Sequence, residues 1–125
     1  MTKDVLKAVE GMTIEDGLRL LINNKITGVP VVDQKTRMVG VLSEYDIICT
    51  LSKDKGSDMK TFKKPITFSK KVEAIDEDTD LETILKLFVD SRFRRLPVVN
   101  KKMELIGIIS RRDIMRLFYY RARLA

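Results

Sequence analysis

One stretch of this sequence occurs twice, and the repetition limits the fold more than any other feature. Gly40-Val41-Leu42-Ser43-Glu44-Tyr45-Asp46-Ile47 returns as Gly107-Ile108-Ile109-Ser110-Arg111-Arg112-Asp113-Ile114. The offset is 67 positions, and the same offset relates Pro30 to Pro97, Val31-Val32 to Val98-Val99, and Thr2-Lys3 to Ser69-Lys70. No gap is needed between these anchors. A duplicated structural unit explains such a register, and each half must then fold into the same short arrangement.

The unit can be read from its apolar spacing. A polar lead and a short strand come first: Val5 to Val9 in one copy, Val72 to Ile75 in the other. A helix follows, with Thr13 as N-cap and Glu15 and Asp16 in its first turn, where the helix dipole favours acids. Ile14, Leu18, Leu21 and Ile22 then make one apolar face. In the second copy Asp80 caps, and Leu81, Leu85, Phe88 and Val89 form the face. Two strands come next: Val29 to Asp33 and Met38 to Leu42, then Leu96 to Asn100 and Leu105 to Ile109. A closing helix spans 44–51 in the first copy and 111–123 in the second. The order is β-α-β-β-α, twice, a mixed α/β (α+β) chain. Residues 1–51 form unit one, 52–67 a linker and 68–125 unit two. Lys53-Asp54-Lys55-Gly56-Ser57-Asp58 reads as a mobile loop. Phe62, Pro65, Ile66 and Phe68 suggest that the later part of the linker docks on the body.

Composition enters as a filter on function. The chain has no histidine, which removes Ser-His triads, imidazole acid–base catalysis and most transition-metal sites. Its one cysteine, Cys49, excludes an internal disulfide and falls in an apolar helical stretch, where a buried thiol is expected. No apolar run is long enough to span a membrane, and the first residues lack the apolar core of a signal peptide, so a cytoplasmic protein is expected. The net charge of +6 is uneven: −1 over residues 1–51, +3 over 52–67 and +4 over 68–125. That balance suits anionic partners. With 6% aromatics and no tryptophan, a stacking platform for single-stranded nucleic acid has little support. Lys60, Lys63 and Lys64 read as a solvated face.

The repeated octapeptide marks the end of a buried strand running into a helix. That junction offers unpaired backbone N–H groups and the positive end of a dipole. Serine adds a hydroxyl, and aspartate adds two acceptor oxygens able to hold a pair of ribose hydroxyls. The same residues have a local reading: Ser43 and Ser110 as N-caps, with Asp46 and Asp113 three residues on. Arg92, Arg94 and Arg95 read either as a solvated helix end or as anion ligands. Arg111 and Arg112 open a helix, where positive charge is unfavourable without an anion nearby.

Duplicated x-x-Pro-Val-Val, followed by Gly, two aliphatics, Ser-x-x-Asp and an aliphatic, resembles a tandem CBS-domain pair, or Bateman module, over nearly the whole chain. The resemblance implies two units packed through their sheets about a pseudo-two-fold axis. It implies a regulatory domain that is not an enzyme, binding an adenosine-containing ligand: AMP, ADP, ATP, S-adenosylmethionine or NAD. Carried over, one cleft uses Ile108, Ser110, Arg112 and Asp113, lined by Thr2, Lys7, Ile26 and Thr27. The other uses Val41, Ser43, Tyr45 and Asp46, lined by Ser69, Ala74, Phe93 and Arg94. Arg95 matches a position where such modules often place a phosphate-binding arginine. Lys7 stands where they carry a small apolar residue. On that basis the Asp46 cleft is expected to be the better one for a phosphorylated ligand.

Two other readings compete with nucleotide sensing: an interaction module with vestigial clefts, and a basic nucleic-acid-binding module. A homodimer is also expected. The closing helices carry Ile47, Ile48, Leu51, Met115, Leu117, Phe118 and Tyr119, more apolar surface than a two-layer lobe of this size buries alone.

Overall fold

The computed structural model describes residues 5–54, 59–91 and 93–124. The expectations for Thr2-Lys3-Asp4, Lys55-Gly56-Ser57-Asp58 and Arg92 lie outside the described residues. The chain divides into two compact units, Leu6–Val72 and Glu73–Ala125, with Val5 grouped with the latter.

The first unit contains β1 (Ala8–Val9), α1 (Ile14–Asn23), β2 (Gly28–Val32), β3 (Met38–Ser43), α2 (Glu44–Lys53) and the short α3 (Met59–Phe62). The second contains β4 (Ile75–Asp76), α4 (Leu81–Ser91), β5 (Arg95–Val99), β6 (Leu105–Ser110) and α5 (Arg111–Leu124). Each unit has a three-stranded sheet, β1-β2-β3 and β4-β5-β6. The first pair in each is parallel and the second antiparallel, with a register shift at Val31/Val32 and again at Val98/Val99. The duplicated β-α-β-β-α order is thus present down to the position of the bulge.

The opening strands are shorter than the sequence suggests. Ala8 pairs with Val31 and Val9 with Val32, and pairing does not extend back toward Val5. Pro30 gives the reason. Its cross-strand neighbour Val41 directs both its N–H and its C=O to Ser69, so Pro30 and Val41 are a pair without hydrogen bonds. The nitrogen of Pro30 therefore faces the β1 side, where it has no hydrogen to donate.

Both helix N-caps are as expected. The Thr13 hydroxyl accepts from the Asp16 N–H at 3.2 Å, and Asp80 Oδ1 accepts from the Thr83 N–H at 2.8 Å. The apolar faces need correction at their edges. In α1 the buried residues are Ile14, Gly17 and Leu21, and Ile22 is 67% exposed. In α4 they are Ile84 and Phe88, and Val89 is 74% exposed. A glycine at the centre of one face is invisible to a count of apolar residues.

Gly17 shows how the two cores differ. A Cβ there would lie 3.1 Å from Ile66 Cγ2 and 3.3 Å from Leu42 Cδ2. Ile66, from the connecting segment, is buried in the first core, with Phe62 and Phe68 packed beside it. The segment is tied down by bonds from the Ile14 N–H to the Lys64 carbonyl and from the Ile66 N–H to the Met12 carbonyl, each 2.8 Å. The position equivalent to Gly17 in the second unit is Ile84, itself a core residue. One unit fills the space with its own helix; the other leaves a gap that the linker fills.

Candidate functional site

In each unit a strand ends on serine and a helix begins at the next residue. Ser43 is extended, with φ −120° and ψ 162°. Its N–H and Oγ–H both donate to Asp46 Oδ2, each at 2.9 Å, while Oγ accepts from the Asp46 N–H at 3.2 Å. The second copy reproduces this. The Ser110 N–H and Oγ–H donate to Asp113 Oδ2 at 2.8 and 3.1 Å, and Ser110 Oγ accepts from the Asp113 N–H at 3.2 Å. Both are capping boxes with aspartate in place of the usual glutamate, so the shorter acid sits closer to the strand end. The next N–H is also satisfied: Glu44 donates to the Thr27 carbonyl at 2.9 Å and Arg111 to the Arg94 carbonyl at 3.1 Å. Partial burial pushes the Asp113 carboxyl up. The two bonds from Ser110 and the charge of Arg116 outweigh it, holding the group below the usual carboxylate range.

Around the first motif, Val41 and Ser69 exchange both backbone bonds, at 2.9 and 3.0 Å, so Ser69 extends the outer edge of β3. Gly40 makes this possible. A Cβ there would fall 2.1 Å from the Ser69 carbonyl oxygen and 2.7 Å from the Phe68 ring. Tyr45 is exposed on α2, and its hydrogen bond with Cys49 raises its phenol above the ordinary value, with the Asp46 carboxylate adding to the effect. Cys49 is half-buried, not buried as expected. Asp46 opens on a cleft of about 480 Å³, lined by Thr50, Lys53, Lys64 and Thr67 among others. None of these four was singled out for the site by sequence reasoning. Their link to Asp46 lies in helical spacing (46, 50, 53) and in the docking of the linker. Lys64, expected on a solvated face, bonds to Asp54 at 2.7 Å. Lys7 and Thr27 are exposed and Ile26 is half-buried beside the first core.

Around the second motif, Arg95 is the cross-strand partner of Ser110, just as Gly28 is of Ser43. Paired residues share a face of the sheet, so the Arg95 side chain belongs beside the Ser110–Asp113 cap of its own unit. Arg111 Nε donates to the Phe93 carbonyl at 2.8 Å, a clamp that sequence reasoning did not anticipate. Ala74, Phe93 and Ile108 are half-buried, and Arg94 and Arg112 are exposed. Arg112 borders a depression of about 210 Å³ with Met115, Arg116, Tyr119 and Tyr120. Thr2 lies outside the described residues.

The sequence matches the CBS domain over residues 1–53 and again over 65–120. The chain belongs to the CBS-domain family. Each matched segment contains one of the two Ser-x-x-Asp caps. CBSX2, a chloroplastic CBS domain-containing protein of Arabidopsis thaliana, is 33% identical over 129 residues, covering 83% of this chain and 54% of that one. The chain thus spans about half the length of that relative. A crystal structure of CBSX2 in complex with AMP superposes with a TM-score of 0.71 at 30% identity, covering 96% of this chain and 93% of the other. CbpB in complex with c-di-AMP gives a TM-score of 0.80 at 27% identity, covering 94% and 78%. CBS-pair folds of this kind hold small adenine-containing ligands in those relatives. Among the described residues, no helix is long and apolar enough to cross a membrane, and no acidic or cysteine cluster is placed to hold a metal ion.

Proposed function

We propose that this CBS pair is a regulatory module that binds an adenine nucleotide and acts on a partner protein through the ligand-dependent population of its conformations. The observation that carries the reading is the duplicated carboxylate. Asp46 and Asp113 are each fixed by three bonds to a strand-end serine, partly buried and pointed at a helix start, a pre-ordered acceptor for ribose hydroxyls. Binding AMP in CBSX2 and c-di-AMP in CbpB supports the ligand class. Arg95, in register with Ser110, makes the Asp113 motif the better candidate for a phosphorylated ligand, with Arg112 beside it. Ile26, Thr27, Ala74 and Phe93 are the adenine-lining candidates, with Lys7 and Ser69 at the edges. The closing helices pair two copies into a homodimer, because Ile48, Met115, Phe118 and Tyr119 are exposed in the single chain.

The test is a thermal-shift and calorimetric panel with AMP, ADP, ATP, c-di-AMP, S-adenosylmethionine and NAD. A ligand at 100 times its dissociation constant stabilises the folded state by about 2.7 kcal/mol. No shift with any of them at millimolar concentration would favour an interaction module with unused clefts.

A further inference from the structure

One side of α5 carries positive charge without counter-charge. On α1 the usual balance holds, with Arg19 reaching Glu15 at 3.3 Å and Asp16 at 3.9 Å. α5 has five arginines and one aspartate, and that aspartate, Asp113, accepts from Ser110 in the cap. Arg112, Arg116 and Arg123 form no ion pair among the described residues. At 3.6 residues per turn these three fall within about 40° of one another around the helix axis. Ile114, which packs on the second core, lies about 180° away by the same count, and Phe118 about 140°. The arginine line therefore faces away from its own unit and off the apolar side assigned to the homodimer. Solvated helix faces usually mix signs, and like charges one turn apart, as at Arg112 and Arg116, destabilise a helix. An anion lying along the strip would remove that cost.

We propose that this strip binds single-stranded RNA, at a surface separate from the nucleotide clefts. Guanidinium groups hold phosphate oxygens in a bidentate fork, and every base offers a face to an exposed aromatic ring. Composition argues against a stacking platform only when the whole chain is averaged. Of its five phenylalanines and three tyrosines, Phe118, Tyr119 and Tyr120 fall consecutively on α5. Tyr119 and Tyr120 border the 210 Å³ depression together with Arg112 and Arg116. Arg123 covers Tyr119, its guanidinium 5.6 Å from the ring centroid, and Tyr120 stands edge-on to Tyr119 at 5.5 Å. Tyr120, 60% exposed, is thus the ring open to a base. Its hydroxyl makes no hydrogen bond among the described residues, so it is free to meet a 2′-hydroxyl, which RNA has and DNA lacks. An acidic peptide would satisfy the arginines but make no use of the rings. The proposal depends neither on the adenine-nucleotide reading nor on the homodimer.

Fluorescence anisotropy of the full-length chain with a labelled RNA of about a dozen nucleotides tests this. Three phosphate contacts give a slope of about −2 in log affinity against log salt, so affinity should fall roughly twentyfold between about 50 and 200 mM salt. Arg116→Gln and Arg123→Gln should each reduce that slope by about 0.7. Tyr120→Ala should weaken binding by roughly five- to a hundredfold. Tyr120→Phe should keep the affinity for a DNA oligonucleotide of the same sequence and remove the preference for RNA. No binding at the lowest salt, a slope unmoved by both arginine variants, or an affinity unmoved by Tyr120→Ala would overturn the proposal. So would a DNA oligonucleotide that binds wild type as tightly as RNA does. Displacement of the RNA by millimolar AMP would place it in a nucleotide cleft, and tighter binding of polyglutamate than of RNA would make the strip an acidic-protein contact; either result would overturn the assignment.

Discussion

Replacing Asp113 by alanine tests whether the cap is structural work as well as ligand chemistry. The carboxylate accepts from the Ser110 N–H at 2.8 Å and the Ser110 hydroxyl at 3.1 Å through one oxygen. The backbone bond from residue 113 to Ser110 Oγ survives the substitution, so half of the box remains. Bonds to a charged acceptor contribute about 1.5–3 kcal/mol when buried, and loss of a helix cap about 0.5–2 kcal/mol. Asp113 is only half-buried and its two bonds share an oxygen, so the lower range applies, about 1–1.5 kcal/mol after allowing for solvent screening. For a chain of this size that lowers the melting temperature by roughly 3–8 °C. Acid supplies the sharper check. The folded carboxyl lies below its unfolded value, so its stabilisation is fully present above the unfolded pKa and is lost as pH falls through the folded one. Urea unfolding of wild type and Asp113→Ala should therefore differ at neutral pH and begin to converge only as pH falls below about 4. An equal difference at both pH values would refute the role of the ionised cap.

Other substitutions address neighbouring claims. Asp113→Asn keeps an acceptor for the Ser110 N–H, so it should lose less stability than alanine while weakening adenosine-ligand binding about tenfold or more, read by calorimetry; unchanged affinity would remove the ribose role. Arg95→Ala should weaken AMP binding by about tenfold and leave adenosine nearly unaffected, because a charge-assisted bond to phosphate is roughly twice as strong as a neutral one; equal losses for both would argue against phosphate contact. Gly40→Ala should cost about 1–3 kcal/mol, since its new methyl falls on the Ser69 carbonyl, and a denaturation midpoint like that of wild type would show that the Phe68–Ser69 segment yields freely. Gly17→Ala gains up to about 1 kcal/mol of helix propensity but crowds Ile66. The same change should be more favourable in an Ile66→Val chain, and equal effects in the two backgrounds would deny the contact.

The parts legible in the sequence were those fixed by local chemistry. Thr13 and Asp80 as caps, the strand-to-helix junctions at Ser43 and Ser110, and the repeated element order all follow from residues within a few positions of one another. The docking of Ile66 was legible too, from its apolar character inside a polar linker. Features set by register were not. That Ser69 pairs with Val41, and that Arg95 stands opposite Ser110, depends on which backbone groups meet across a sheet, and no side chain announces it. The cleft beside Asp46 escaped for a related reason: Lys64 and Thr67 reach it only once the linker has docked. Gly17 hid the centre of α1 by being small, which moved the expected face one residue toward Ile22.

That docked linker also sets an order of assembly. During synthesis the first unit cannot close when α2 has emerged, because its core lacks Ile66 and the edge of β3 lacks Ser69. A nascent chain ending near residue 54 would carry a hole beside Gly17 and an open strand at Val41. The second unit carries Ile84 in the corresponding place, so its own helix fills that position. Two copies of one ancestral plan have thus become unequal as cuttable parts. A fragment or fusion of the first should extend through Ser69 to fold, whereas a boundary drawn at the end of its last helix would expose the strand edge to aggregation.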